Sequence, residues 1–272
     1  MQQKKEGNGK IGFFDSGIGG LTILGSVITH LPQYNYLYYG DTKNVPYGDK
    51  SEEEIYQYTE EAMRYLFSHG CVLVIIACNT ASAETVRRLQ DTFLVEEYPD
   101  RRILGVVIPT VEELINSDSK KAMVVGTKRT IDSRKYDIEL EKREVTHIDL
   151  LSVPTPALVP LIETGNLMQA YAILAEEIEG NRGVDTLILA CTHYTLLKNM
   201  VRRTFGDSLI VISQDEVIPQ KLEQYLENHP EIVEKVGRGS LYEMHLTKER
   251  KEYASMMSRF MPDHILEKFT AV

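Results

Sequence analysis

The 272-residue sequence predicts an α/β fold built on parallel strands, and three observations carry that prediction. Continuous runs rich in Val, Ile and Leu recur at 11–14, 72–77, 103–108, 122–125, 187–190 and 209–212. Unbroken apolar runs suit parallel strands covered on both faces, because no alternate side chain has to meet water. Amphipathic stretches of helical period separate the runs, and strand–helix alternation of this kind is the signature of an α/β architecture. Finally, two pieces of chain echo each other. LVIIACNT at 73–80 resembles TLILACTH at 186–193, with Cys78 and Cys191 113 positions apart. GFFDS at 12–16 is matched by MVVGT at 123–127 with Asp15 against Gly126, an offset of 111. Two matches at nearly one spacing suggest a duplicated unit.

The elements follow in order. Residues 1–10 are polar and read as a frayed tail with no apolar core of a signal peptide. Strand 11–14 runs into Asp15-Ser16-Gly17 and a glycine-rich turn, and the tyrosine cluster 34–39 reads as a core strand. Ser51 and Glu54 form a capping box for a helix with Ile55, Tyr58, Ala62, Tyr65 and Leu66 along one stripe, closed by Gly70. Residues 167–179 repeat the pattern with Leu167, Ala170, Tyr171, Leu174 and Ile178, followed by Gly180.

Composition narrows the function. A net charge of −10 argues against a nucleic-acid footprint or a polybasic membrane anchor, and no apolar stretch has the length of a membrane span. Three cysteines without a secretory signal point to reduced thiols in the cytoplasm rather than a disulfide framework. In open parallel sheets ligands bind beyond the carboxyl ends of the strands. Four polar clusters stand there: Asp15-Ser16-Gly17, Cys78-Asn79-Thr80, Gly126-Thr127 and Cys191-Thr192-His193. A thiol at such a point feels a helix N-terminus, which favours thiolate, and has backbone N–H groups beside it that can hold a carboxylate. Cys71 opens its strand after Gly70 and reads as a packing residue. Three chemistries are open to Cys78, Cys191 and His193: a zinc site, a single-thiol nucleophile with His193 as base, and paired acid–base thiols. The Gly17-Ile18-Gly19-Gly20 run lacks the remainder of a dinucleotide fingerprint and reads as a tight strand-to-helix turn.

IGFFDSGIGGLTIL at 11–24, YYGDTKNVPYGDKS at 38–51, ACNTASA at 77–83 and ACTHYTLL at 190–197 closely resemble the glutamate racemases of the aspartate/glutamate racemase superfamily. VPLIETG at 159–165 and the segment 241–261 resemble the same family. The resemblance implies two pseudo-symmetric, doubly wound domains with the active site in the cleft between them, residues 1–103 plus 213–272 forming one and 104–212 the other. It implies a cofactor-independent interconversion of L- and D-glutamate that supplies peptidoglycan, in a cytoplasmic homodimer that needs no metal, nucleic acid or membrane. Cys78 would serve the face of D-glutamate assisted by Asp15, and Cys191 the face of L-glutamate assisted by Glu163 and His193. Ser16, Pro46, Tyr47, Gly48, Asn79, Thr80 and Thr192, with Asp15 and His193, fall where the family binds substrate. Asp41 reads instead as a stabiliser of the loop 40–48. Two departures stand out: Thr195 replaces the family's usual proline, and Ser213-Gln214-Asp215-Glu216 differs from the usual segment after its strand. The competing readings are a racemase of another amino acid such as aspartate, and a catalytically silent amino-acid-binding regulatory homologue.

Overall fold

The computed structural model describes residues 7–249 and 251–271. Among the described residues ten strands form two sheets in which every pairing is parallel. In chain order they are β1 (Lys10–Asp15), β2 (Tyr36–Gly40), β3 (Cys71–Ile76), β4 (Arg102–Gly105), β5 (Lys121–Gly126), β6 (Asp149–Pro154), β7 (Thr186–Ala190), β8 (Ile210–Ser213), β9 (Tyr242–Leu246) and β10 (Phe269–Ala271). The first sheet has the order β10-β9-β2-β1-β3-β4 and the second β6-β5-β7-β8. Four strands of the first sheet therefore repeat the order of the second, with β1 equivalent to β5 and β3 to β7. The internal sequence echo is thus a structural repeat, and the α/β class with two doubly wound sheets is the observed one.

The apolar runs became strands because both faces of each are buried: β3 and β7 are buried along their whole length. Helices cover those faces. The helix Glu52–Ser68 begins with the expected capping box, Ser51 N–H donating to Glu54 Oε2 at 2.9 Å and Glu54 N–H donating to Ser51 Oγ at 3.3 Å. It buries Ile55, Ala62 and Leu66 against the first sheet and stops before Gly70, whose φ of +87° suits a residue without Cβ. Tyr58 and Tyr65 of the anticipated stripe lie half-buried at its margin.

Three expectations are corrected. The run 103–108 is not one strand: β4 ends at Gly105, and the helix Val107–Asn116 follows. The Ser82 hydroxyl accepts the Val106 N–H at 3.0 Å, which takes that donor out of the ladder, and Pro109 lies in the first helical turn where its missing N–H is no loss. Residues 1–6 of the anticipated tail lie outside the described residues, but its end is ordered: Gly9 pairs with Val236, and Lys10 opens β1. The helix begun at Leu167 runs through Gly180, and Asn181 Nδ2 caps it on the Glu177 carbonyl at 2.7 Å. Among the described residues no helix is long and apolar enough to cross a membrane.

The second sheet is locked at the end opposite the site by Asp185. Its carboxylate accepts from Ser119 Oγ, Lys120 N–H and Thr186 Oγ1 at 2.8 Å and from Lys121 N–H at 3.0 Å. Partial burial would raise its pKa, but the backbone and hydroxyl donors outweigh burial and hold it below the usual value of 3.8. A depressed carboxylate contributes stability that is complete above its unfolded pKa and lost as pH falls through the folded one. Asp185→Ala is expected to lower the unfolding free energy in urea by about 2 kcal/mol at pH 7, because it strands several donors at once. The deficit should narrow as the pH is taken below the carboxylate range; a deficit unchanged by acid would contradict this account.

Candidate active site

The repeat brings four strand ends together. The registers Phe14↔Ile76 and Gly126↔Ala190 set β1 beside β3 and β5 beside β7, so Ser16 comes level with Cys78, one residue beyond Asp15, and Thr127 comes level with Cys191. The two sheets meet through these ends. Thr192 Oγ1 donates to Asp15 Oδ1 at 3.4 Å, and Thr22 Oγ1 donates to the Thr192 carbonyl at 3.3 Å. On the other flank the Thr80 hydroxyl lies 2.9 Å from that of Thr127 and 3.1 Å from that of Thr130. Both thiols are enclosed, Cys78 at 6% and Cys191 at 7% exposure.

Cys78 precedes the helix Asn79–Arg88, and its Sγ donates to Ser16 Oγ at 3.4 Å. The expectation that the helix N-terminus would lower this thiol's pKa is overturned. Burial first, and then the charge of Asp15, push it up to about 12 against the opposing Ala81 N–H and Ser16 hydroxyl. Asp15 is itself buried, and its carboxyl is raised by desolvation despite the charge of His193 and the N–H groups of Gly17 and Gly20. The Gly17 N–H donates to Asp15 Oδ2 at 3.1 Å. Cys191 differs from Cys78 in setting: it leads into a 3-10 helix, Thr192–Leu197, before the α-helix Lys198–Phe205. Its Sγ lies 3.9 Å from His193 Nδ1, and His193 Nε2 lies 3.0 Å from Glu163 Oε1 at the end of the helix Leu158–Glu163. Burial alone would lower the His193 pKa, but its hydrogen bonds to Cys191 and Glu163 prevail and raise it to about 10. Phe260, from the helix Lys251–Phe260, closes over that imidazole edge-to-face.

The remaining anticipated residues are spread around this centre. Tyr47 is buried and donates to Asp41 Oδ2 at 2.7 Å, and Asp41 also accepts from Asn44 and Thr247, so Asp41 secures the loop as expected. Gly48 packs against Thr127 of the other half, whereas Pro46, after a cis peptide bond, is exposed. Asn79 and Thr80 are buried at the first turn after Cys78. Cys71 is buried in the first sheet, where desolvation raises its thiol, as suits a packing role. Among the described residues no three His, Cys, Asp or Glu side chains are grouped to hold a metal ion.

Sequence reasoning missed several participants. Thr130 meets Thr80 and Thr127, and Tyr38 donates to the Gly17 carbonyl at 2.9 Å, beneath the Asp15 turn. Gln214 and Tyr136 bond to Asn79. Of these only Gln214 carried a signal, through the Ser213–Glu216 segment that departs from the family pattern; Thr127 had been singled out as a polar residue directly after an apolar strand. The two departures from the family pattern meet: Ser213 Oγ lies 3.5 Å from Thr195 Oγ1 and donates to Asp215 at 2.6 Å.

A histidine raised to about 10 adds stability that is complete below its unfolded value of 6.5 and lost as pH climbs through the folded value. The imidazole C–H resonances of His193 are expected to titrate near pH 10, and at a lower pH in Glu163→Gln, where the neighbouring carboxylate charge is removed. A titration unmoved by that change would contradict the pairing.

Comparison with known proteins places the chain in a family. Residues 24–214 match the family described as Asp/Glu/Hydantoin racemase. A glutamate racemase of Dinoroseobacter shibae is 34% identical over 238 residues, covering 82% of this chain and 86% of the relative. A crystal structure of a glutamate racemase isoform from Bacillus anthracis superposes with a TM-score of 0.83 at 26% identity, covering 99% of this chain and 97% of the other. The glutamate racemase of Francisella tularensis in complex with D-glutamate superposes at 0.82 with 25% identity, covering 97% and 96%. The chain therefore belongs to the Asp/Glu/Hydantoin racemase family and, within it, to the glutamate racemases, isomerases that act on amino acids.

Proposed function

We propose that this protein interconverts L- and D-glutamate by two-thiol proton transfer at the α-carbon, without a cofactor. The observation that carries the reading is the pairing of two enclosed thiols, each at the carboxyl end of an equivalent strand of a repeated sheet. One thiolate takes the α-proton as the Cα–H electron pair moves into the substrate carboxylate, and the opposite S–H protonates the other face of the carbon. One proton leaves and one arrives, and the reverse reaction exchanges the roles. Cys78, kept protonated by burial and Asp15, is suited to donate. At Cys191 the raised imidazole of His193, 3.9 Å from the sulfur, offers opposite charge to any thiolate formed there. Ser16, Asn79 and Thr80, with the main-chain N–H of Thr192, are donors that could hold carboxylates and stabilise the enolate-like charge. Tyr47 and Gly48 would line the same cleft, with Pro46 at its mouth.

Strand membership supports a division into two domains, since β9 and β10 return to the first sheet, with the boundaries a residue or two from those expected: β4 of the first sheet runs to Gly105 and β8 of the second to Ser213. The reading carries with it the family's expectations of a cytoplasmic homodimer that supplies D-glutamate for peptidoglycan.

The direct test follows L-glutamate in D₂O with purified protein, by proton NMR and chiral chromatography. Loss of the α-proton signal with appearance of D-glutamate is expected, slowed by roughly 10²–10⁴-fold in both Cys78→Ser and Cys191→Ser. Turnover of aspartate but not glutamate would overturn the substrate, binding without exchange would indicate a silent homologue, and full activity in either variant would overturn the two-thiol mechanism. The close approach at Gly19 supplies a second test. A Cβ there would sit 2.4 Å from Thr192 Oγ1 and 2.6 Å from His193 Nδ1, forcing the two halves of the site apart. Gly19→Ala is expected to lower kcat/KM by roughly 100-fold, the order set by an ångström of misplacement, with the far-ultraviolet circular dichroism preserved.

A further inference from the structure

We infer that Gln214 is a positioning residue that fixes the Asn79 carboxamide as an N–H donor toward the substrate; the inference rests on the functional reading above. Asn79 follows Cys78 at the first turn of its helix, and Gln214 opens the helix Gln214–Asn228 directly after β8. Their carboxamides close a ring of two hydrogen bonds: Asn79 Nδ2 donates to Gln214 Oε1 at 2.6 Å, and Gln214 Nε2 donates to Asn79 Oδ1 at 2.7 Å. The Tyr136 hydroxyl donates to the same Oδ1 at 2.9 Å, and Gln214 Nε2 reaches Thr110 Oγ1 at 3.3 Å. All four residues are buried.

An amide pair taken alone is ambiguous, since turning both carboxamides over preserves the ring. Thr110 removes the ambiguity. Its only hydroxyl proton is directed to the Val106 carbonyl at 2.7 Å within its own helix, so its oxygen faces Gln214 solely as an acceptor. Gln214 must then present Nε2 to Thr110 and Oε1 to Asn79, which in turn must present Nδ2 to Gln214 and Oδ1 to Tyr136. The inventory of the Asn79 side chain is nearly used up: both oxygen lone pairs and one N–H are engaged. Among the described residues one N–H is left, at the first helical turn beyond Cys78. An amide turned the other way would offer a lone pair to an anionic amino acid and repel it. Gln214 lies in the segment that departs from the family pattern, so this chain orients Asn79 through a side chain that the family motifs do not specify.

The test uses Gln214→Met, which keeps length and burial but removes both bonds to Asn79. Losing a donor held in the ground state and the transition state alike raises KM more than it lowers kcat. A rise in KM for glutamate of roughly 10-fold is expected, with a smaller change in kcat. The equilibrium constant of a racemisation is unity, so kcat/KM must fall by one factor in both directions. The decisive comparison is a double-mutant cycle: in an Asn79→Ala background, Gln214→Met should have no further effect on kcat/KM. Thr110→Val, which preserves shape and removes the hydroxyl whose oxygen sets the amide orientation, together with its bond to the Val106 carbonyl, should also raise KM and gives a readout should Gln214→Met fold poorly. Multiplicative losses in the cycle, or unchanged KM in the Gln214 and Thr110 variants, would overturn the inference. Racemisation by the wild type is the internal control, so inactivity there bears on the functional reading and a change confined to the variants bears on Gln214.

Discussion

A carboxylate withdrawn from water must be supplied with donors, and Asp15 draws them from both halves of the protein. Gly17 N–H comes from its own turn, the Thr192 hydroxyl comes from the second sheet, and the charge of His193 lies within electrostatic reach. These demands hold the glycine turn, the 3-10 helix after Cys191 and the sheet ends in one arrangement. The same carboxylate raises the pKa of Cys78. Structural closure of the cleft and the protonation of one thiol thus depend on a single buried group, and altering it would disturb both.

The two half-sites follow one plan with different chemistry. Each thiol stands after an apolar strand that is the third of its repeat, with a hydroxyl or carboxylate from the adjacent strand end beside it. At Cys78 the neighbour is an acid and an α-helix begins at once. At Cys191 the neighbour is a histidine backed by Glu163, and a 3-10 turn intervenes. A symmetric fold therefore holds an asymmetric pair of protonation environments, which suits a reaction that removes a proton on one face and returns one on the other.

Much of this was legible along the chain, for physical reasons. Strands β1, β3, β5 and β7 lie inside the sheets, and burial on both faces demands the unbroken apolar runs that betray them; β8, although at an edge, is buried over three of its four residues and reads the same way. Strand β6 at the edge of its sheet, and β9 and β10 at the margin of the other, are half-exposed, so their mixed sequences carry no such signal. The run 103–108 misled because Val and Ile serve a buried helix as well as a strand; the Ser82 hydroxyl and Pro109 decided between them. A helix N-terminus was expected to favour the Cys78 thiolate, but a partial charge in one turn is weaker than full burial beside a carboxylate.

What the sequence determined by itself was the local chemistry: the α/β alternation, the repeat, the strand-end positions of Cys78 and Cys191, and the family to which these motifs belong. Those properties are written in neighbouring residues, where period, capping and turn composition act. The tertiary structure alone decided which distant groups meet. Gln214 reaches Asn79 across 135 positions and Thr192 reaches Asp15 across 177, and no pattern within either segment encodes its partner. The protonation of Cys78 and His193 belongs to the same class, because desolvation depends on every element that closes around the group.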